Sequence, residues 1–360
     1  MARLEDVARA AGVSRGTVSN VFNKPDLVRA ELRARVLSAA QNLGFSGPDP
    51  AARLLRGGRV NAIGFMMGGD GALFQLFTNP YGRDLMAGIG AECDAHGAGV
   101  AIIADIGDDK VWGIRNAIVD GFILQRIEEL AHLDTARSRN LPFVVLDYEA
   151  PPDVSTVRID DRAGARMAAE HLLALGHRRF AIMSILRTDP AVVRRRGVAP
   201  AYHPPGRTEL NLVQPDPVDH LRIAGYADAL TTAGIDIADI PIVETITHGV
   251  AEARPGAALL LDRAPEATAL LCMSDVLALA VLEEAKARAI DVPRQVSVVG
   301  FDDNPEAAHA QPPLTTIAQP VIDKGRAAAR IIFEFKDKGS QQIMLPLSLA
   351  IRASTAPPHP

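Results

Sequence analysis

Residues 4–23 read LEDVARAAGVSRGTVSNVFN, and this stretch decides how the first part of the chain folds. Leu4, Val7, Ala8 and Ala11 recur at the spacing of one helical face. Gly12 follows where a left-handed residue ends a helix, and Val13 plugs the gap beneath. Ser14 stands at an N-cap position, and Val18, Val21 and Phe22 form the inward stripe of a second helix opening at Arg15. Two such helices joined by a tight turn make a helix-turn-helix. Leu32, Val36, Ala39, Ala40 and Leu43 then supply a third amphipathic helix, ended by Gly44, that closes a small three-helix core.

The inward stripe leaves Arg15, Gly16, Ser19 and Asn20 facing away from that core, where the start of the second helix can enter a major groove. Arg15 suits a bidentate contact to guanine and Asn20 one to adenine, while Ser14, Thr17 and Asn23 suit phosphate oxygens. Gly16 reads nothing but permits close approach. Charge agrees with this reading. Residues 1–59 hold ten Lys and Arg against five Asp and Glu, so a head of +5 precedes a body that must carry −10 for the chain to total −5. A basic head attracts phosphates through counterion release, and an acidic body avoids unproductive adhesion to DNA.

The rest of the chain is long enough for more than one globular unit, and 48% hydrophobic residues provide for a sizeable core. Acidic residues near the start exclude a signal peptide, and no segment is long enough to span a bilayer, so a soluble, cytoplasmic protein is expected. Cys93 and Cys272 each sit in an apolar segment and read as buried free thiols rather than a metal or redox pair. From residue 60 onward, short apolar runs alternate with amphipathic stretches, the pattern of parallel sheets flanked by helices. A first lobe is expected to use strands near 62–66, 100–104, 121–124 and 143–146, with helices around 83–96, 109–118 and 128–139. A second is expected to use strands near 179–184, 241–244, 269–273 and 297–301, with helices around 162–175, 219–233, 249–262 and 275–289. The chain is expected to return near 316–320, rejoin the first lobe through a helix around 321–337, and close the second with 345–351.

The stretch 4–23 resembles the opening of the lactose/galactose repressor (LacI/GalR) family of transcriptional regulators, and the likeness continues down the chain. PDPAARLLR at 48–56 is similar to that family's hinge helix, HLLALGH at 171–177, RIAGY at 222–226, VVGFDD at 298–303 and PPLTTI at 312–317 to segments of its core. The resemblance implies an all-α helix-turn-helix headpiece followed by an α/β core of two parallel-sheet lobes, like a type I periplasmic sugar-binding protein. The domains it implies are 1–47 for the headpiece, 48–59 for the hinge and 60–360 for the core. Lobe 1 is taken as about 60–157 and 320–340, lobe 2 as about 158–318 and 341–355. It also sets Ala52 and Leu55 of the hinge against DNA, with Leu55 wedging a base step from the minor groove. Two helical turns are too short to be stable alone in water, so the hinge is expected to fold when paired with its twin on DNA.

Ligands of parallel sheets bind outside the carboxyl ends of the strands, here in a cleft between lobes. Asp147, Ser274 and Asp302 end or follow strands there, and the resemblance supports Asp147, Arg222, Ser274 and Asp302 as contacts to a small-molecule effector. Carboxylates and a guanidinium together accept from and donate to several hydroxyls at fixed geometry, as a sugar or nucleoside requires. Asp275 and Asp303 read equally well as helix caps or local partners. Phe74, Phe77 and Tyr81, assigned to a loop after the first strand, are placed either to stack on a sugar ring or to pack in the core. The segment between Ser184 and Asp219, with Arg194, Arg195 and Arg196, has two readings: a solvated, partly disordered loop, or a lid that lends positive charge to an anionic effector.

No phosphate-cradling Walker loop, nucleophile elbow or zinc-protease motif occurs, so no enzyme is expected, and no cofactor or metal. A solute-binding protein would share the core but would not need residues 1–56. The sequence therefore reads as a homodimeric, DNA-binding regulator, expected to repress from a pseudopalindromic operator under the control of a sugar or sugar-like effector. A corepressor-dependent regulator sensing a nucleobase, nucleoside or anionic metabolite fits the same residues.

Overall fold

The computed structural model describes residues 3–23, 27–45, 60–68, 72–104, 111–125, 130–185, 200–206, 217–245 and 249–359. The chain divides into two compact units, Met1–Val60 and Asn61–Pro360. In the first, helices α1 (Leu4–Ala11), α2 (Arg15–Asn23) and α3 (Ala30–Asn42) enclose Val7, Ala8, Ala11, Val18, Val21, Val36 and Ala40. The helix-turn-helix is built by local chemistry. Gly12 adopts φ 63° and ψ 40°, the left-handed conformation that ends α1 without a Cβ penalty. Two residues on, the Ser14 hydroxyl accepts from the Thr17 backbone N–H at 3.0 Å and opens α2 as its cap. Phe22 meets Phe45 edge to face at 5.7 Å and locks the end of α2 against the segment after α3. The hinge, with Ala52 and Leu55, lies outside the described residues.

The second unit carries two sheets. The first contains β1 (Ala62–Met67), β2 (Gly99–Ala104), β3 (Gly121–Gln125), β4 (Phe143–Leu146), β5 (Ser155–Ile159) and β12 (Gln342–Leu345), in the order β12-β5-β4-β3-β1-β2 and parallel throughout. The second contains β6 (Phe180–Ile185), β7 (Ala201–His203), β8 (Ile242–Thr245), β9 (Ala269–Cys272), β10 (Ser297–Asp302), β11 (Thr315–Ala318) and β13 (Ser348–Ala350). Their order is β13-β11-β10-β9-β6-β8-β7, with the edge strands β13 and β7 antiparallel to their neighbours. Strands β1, β3, β9 and β10 are buried almost throughout, because crossover helices cover both faces of a parallel sheet.

Among those helices are α4 (Ala72–Thr78), α5 (Pro80–Ala95), α6 (Trp112–Asn116), α7 (Leu130–Ser138), α8 (Asp161–Ala174), α9 (Pro217–Thr232), α10 (Val250–Arg263), α11 (Asp275–Ala287), α12 (Pro305–His309) and α13 (Val321–Lys338). Several features depart from the sequence expectation. The aromatic segment 72–81 is not a loop but the helix α4 and the start of α5, whose N-cap Asn79 accepts from the Tyr81 N–H at 3.0 Å. The stretch 341–355 does not belong wholly to the second lobe: β12 pairs with β5 at the edge of the first sheet, and only β13 and the tail join the second. Its exposure alternates residue by residue, so no apolar run marks it. Part of the 185–218 segment is a strand, since β7 pairs antiparallel with β8 and extends the second sheet. Its arginine cluster lies outside the described residues. No described helix is long and apolar enough to cross a membrane.

Helices α5 and α13 cover one face of the first sheet and touch backbone to backbone. A Cβ at Gly88 would run into the Ile322 carbonyl oxygen, and one at Gly325 into the Leu85 carbonyl oxygen. Gly225 of α9 meets the Arg162 carbonyl of α8 in the same way in the second lobe. Neither backbone can yield without disturbing a hydrogen-bonded helix, so both contacts demand glycine. Gly325→Ala is expected to cost about 1–3 kcal/mol, as overpacking does, and to lower the thermal midpoint by several degrees in calorimetry. Gly90, with open space around the same position, should tolerate alanine without that loss.

Candidate functional site

The headpiece presents one polar face. Arg15, Gly16 and Asn20 are exposed, and Thr17 and Ser19 half-exposed, opposite the buried Val18 and Val21. Ser14 is exposed but its hydroxyl is spent on Thr17, through the backbone N–H and the side-chain oxygen at 2.9 Å. Arg15 is paired with Glu5 of α1 at 3.2 Å, both side chains more than half exposed. An exposed pair of this kind contributes at most about 1 kcal/mol and gives way readily to phosphate or a guanine edge. The side chain of Asn23 lies outside the described residues.

In the core, the carboxyl ends of strands from both sheets bring titratable groups together. Asp147 follows β4 with φ 55°, and Asp302 ends β10 with φ 128°. Positive φ at a non-glycine residue costs on the order of 1 kcal/mol or more and persists where the surrounding structure imposes it. Both carboxylates are held from several sides. Asp147 accepts from the Tyr81 hydroxyl at 2.8 Å and from the Lys324 ammonium at 2.6 Å. Asp302 accepts from the Gln319 amide at 2.5 Å, and the same Gln319 accepts from Lys324 at 2.9 Å. Gln125, ending β3, donates to the Tyr81 hydroxyl at 3.2 Å.

Arg222, on α9, forms the second group. Its guanidinium donates to Asp161 at 2.8 Å and to the Met273 carbonyl, and lies 3.6 Å over the Phe301 ring. Burial alone would lower its pKa, but the charges of Asp161 and Asp302 outweigh burial and raise it, so it is a fixed cation. Burial raises Asp161 despite the ion pair with Arg222. It pushes Asp302 up to about 6, against the opposing pull of Arg222, Gln319 and Lys324. Asp275 goes to about 7, by burial first and then by repulsion from Asp302. Burial and the adjacent Asp147 keep the Tyr81 phenol protonated.

The structure thus unites Tyr81, Asp147, Arg222 and Asp302, four of the residues singled out in the sequence. Ser274 acts as the N-cap of α11, accepting from the Leu277 N–H at 3.3 Å. Asp275 accepts from the Thr316 hydroxyl at 2.5 Å and the Asn304 N–H at 2.8 Å, and Asp303 pairs with Arg352 at 2.6 Å. Phe77 is 68% exposed on α4 and joins no described contact of the cluster, while the side chain of Phe74 lies outside the described residues. Lys324, Asp161, Gln125 and Gln319 were not apparent in the sequence. For Lys324 a signal existed: it falls on the stripe Val321, Gly325, Ala328 that α13 buries, where a lysine is out of place. At the cleft's rim, Arg83 of α5 grips Glu306 of α12 at 3.1 Å, joining the lobes through an exposed pair.

Models of three families match the chain: the lacI family of bacterial regulatory proteins over residues 3–47, the periplasmic binding proteins and sugar-binding domain of that family over 71–218, and a periplasmic binding protein-like domain over 169–355. The HTH-type transcriptional regulator Rv3575c of Mycobacterium tuberculosis is 35% identical over 99% of this chain and 97% of its own length. The chain belongs to the lacI family. This regulator shares its fold with a LacI-family protein of Corynebacterium glutamicum, at a TM-score of 0.68 and 28% identity over 98% of each chain. It also matches the transcriptional regulator CelR in complex with cellobiose, at a TM-score of 0.66 and 26% identity, covering 98% of this chain and all of the other.

Two outcomes follow from these charges. Glu5→Gln releases Arg15 and removes a negative charge, and is expected to tighten operator binding a few-fold at low salt, read by fluorescence anisotropy. A carboxyl raised to about 6 stabilises the fold below its ordinary pKa, and that contribution is lost as pH rises through 6. Asn stays neutral and keeps the acceptor used by Gln319. The stability of Asp302→Asn relative to the parent is therefore expected to rise by on the order of 1–3 kcal/mol between pH 5 and pH 8 in denaturant titrations. A flat difference would place the Asp302 carboxyl at its ordinary value.

Proposed function

We propose that this regulator binds a pseudopalindromic operator as a homodimer, and that a sugar or sugar-like metabolite held between the core lobes changes that binding. The observation that carries the effector site is the convergence of Asp147, Asp302 and Arg222 around the carboxyl ends of strands from two sheets, linked across the lobes by Gln319, which donates to Asp302 and accepts from Lys324. Alternating acceptors and donors of this density match a polyhydroxyl ring. CelR, which is described in complex with cellobiose, has the same fold and supports a carbohydrate here as well. The chemistry is reversible binding, with no bond made or broken. A regulator of this kind works where the chromosome is, so the proposed location is cytoplasmic.

On DNA, Arg15, Ser19 and Asn20 form the face that reads base edges, with Gly16 allowing approach and Ser14, Thr17 and Asn23 lining the phosphates. Residues 48–59 act as the hinge, with Ala52 and Leu55 in the minor groove, where a leucine wedge costs a few kcal/mol of unstacking that bending the duplex offsets. Ile102 on the edge strand β2, Trp112 on α6 and Ile118 just beyond it are exposed apolar side chains that a second copy would cover. Lobe rotation on effector binding would alter hinge spacing with a coupling of roughly 1–3 kcal/mol.

Selection of duplexes from a random pool by the full-length protein tests this reading. A recovered inverted repeat, whose affinity changes on adding a sugar, is the expected result. Enrichment of no sequence, with or without sugars, nucleosides or anionic metabolites, would sink it.

A further inference from the structure

Lys324 is out of place on the apolar helix face that buries it. Its side chain is 1% exposed, on a face of α13 otherwise built from Val321, Gly325, Ala328 and Ile332. Packing does not call for a lysine there, since an apolar residue of similar volume fills such a stripe without the desolvation cost of an ammonium. The ammonium has three N–H groups, and each has an acceptor: Asp147 at 2.6 Å, Gln319 at 2.9 Å and the Tyr81 hydroxyl at 3.3 Å. The last is the longest, and its oxygen is also engaged by Gln125.

Two further observations point to a ligand at this spot. The Gln125 carbonyl oxygen is buried without a hydrogen-bond partner among the described residues, although the other end of the same amide is anchored on Tyr81. Across the cluster the Asn304 side-chain amide is also buried with its N–H groups unpartnered among the described residues, on a residue whose backbone N–H bonds Asp275. One atom needs a donor and the other an acceptor, and a ligand carrying several hydroxyls supplies both. The charges limit what such a ligand can be. Lys324 and Arg222 are the cations of the described cluster, and each is already matched by its own carboxylate, Asp147 and Asp161. Asp302 and Asp275 are two further carboxyls, so the cluster holds four carboxyls against two cations and an anionic group entering here meets no surplus positive charge.

We propose that Lys324, oriented by Asp147, is the specificity-determining residue of the effector cleft, donating to a hydroxyl oxygen of an uncharged polyol, while the surplus carboxyls of Asp302 and Asp275 turn away its phosphorylated or carboxylated relatives. The bond released for this purpose is the long one to Tyr81, whose hydroxyl stays anchored on Asp147. The inference rests on the effector-site reading above and adds to it the charge class of the effector and the residue that grips it.

Thermal shift and calorimetric titration of the full-length protein test it with a panel of aldoses and cyclic polyols, together with the phosphate esters and uronic acids derived from them. Lys324→Met alone leaves Asp147 as an unpaired buried carboxylate, so the paired variant Lys324→Met/Asp147→Asn, neutral at both positions, is measured beside it. At least one uncharged member should stabilise the parent protein while its phosphate ester does not, and the paired variant should bind that member at least tenfold more weakly. Wild-type affinity in the paired variant would make the ion pair purely structural and overturn the proposal. So would tighter binding of an ester or acid than of its parent polyol, or no binding by any uncharged member. Operator affinity of the same parent preparation is recorded separately: its absence counts against the regulator reading, whereas its presence alongside one of those results counts against Lys324 alone.

Discussion

Parallel strands cannot be joined by tight turns, and that constraint governs the core. Each strand must be followed by a crossover that returns the chain to the starting end, so the strand ends of each sheet gather along one edge. The residues that leave those ends carry the polar chemistry. Asp147, Asp302 and Gln125 sit at such exits, and Gln319 sits where β11 gives way to α13. The same constraint brings helices over both faces, which is why α5 meets α13 and α8 meets α9 closely enough that glycine is required at the crossings. Site and packing are consequences of one topology.

Much of this was legible because the responsible signals are local. Gly12 and Ser14 specify the turn between α1 and α2 through backbone conformation and a cap, and both do so in the structure. The buried strands of the two lobes announce themselves as apolar runs. What escaped were strands without such runs: β5 reads Ser-Thr-Val-Arg-Ile, β7 is three residues long, and β12 is an edge strand with alternating exposure. The aromatic segment at 74–81 was taken for a loop because it is short and starts close to β1, yet Asn79 caps a long helix there. At the site, Asp147, Arg222 and Asp302 were apparent from strand ends and from the family resemblance. Lys324 and Asp161 belong to the cluster through pairings more than 60 residues away in sequence, which no local pattern records.

Electrostatics divides the molecule by role. The headpiece keeps its key arginine in an exposed pair with Glu5 that water and salt weaken. The core does the reverse: Arg222 is stacked on Phe301 and bonded to Asp161 out of reach of solvent, where removing one partner strands the other. A surface charge is available for exchange with phosphate, whereas a buried one fixes geometry. Asp275 and Asp302 are buried as deeply as Arg222, yet their carboxyls have been pushed to about 7 and about 6 and so remain responsive near neutrality.

The position of β12 in the first sheet and β13 in the second has a mechanical consequence. The chain passes between the lobes after β5, again after β11, and a third time between β12 and β13. One tether leaves two bodies free to swivel, and two define an axis. Three side by side resist twisting and sliding and favour bending about a common line, so the lobes behave as the leaves of a hinge. A disturbance placed between them is then delivered as a change of angle, in the way a wedge in a door moves its far edge further than its near one.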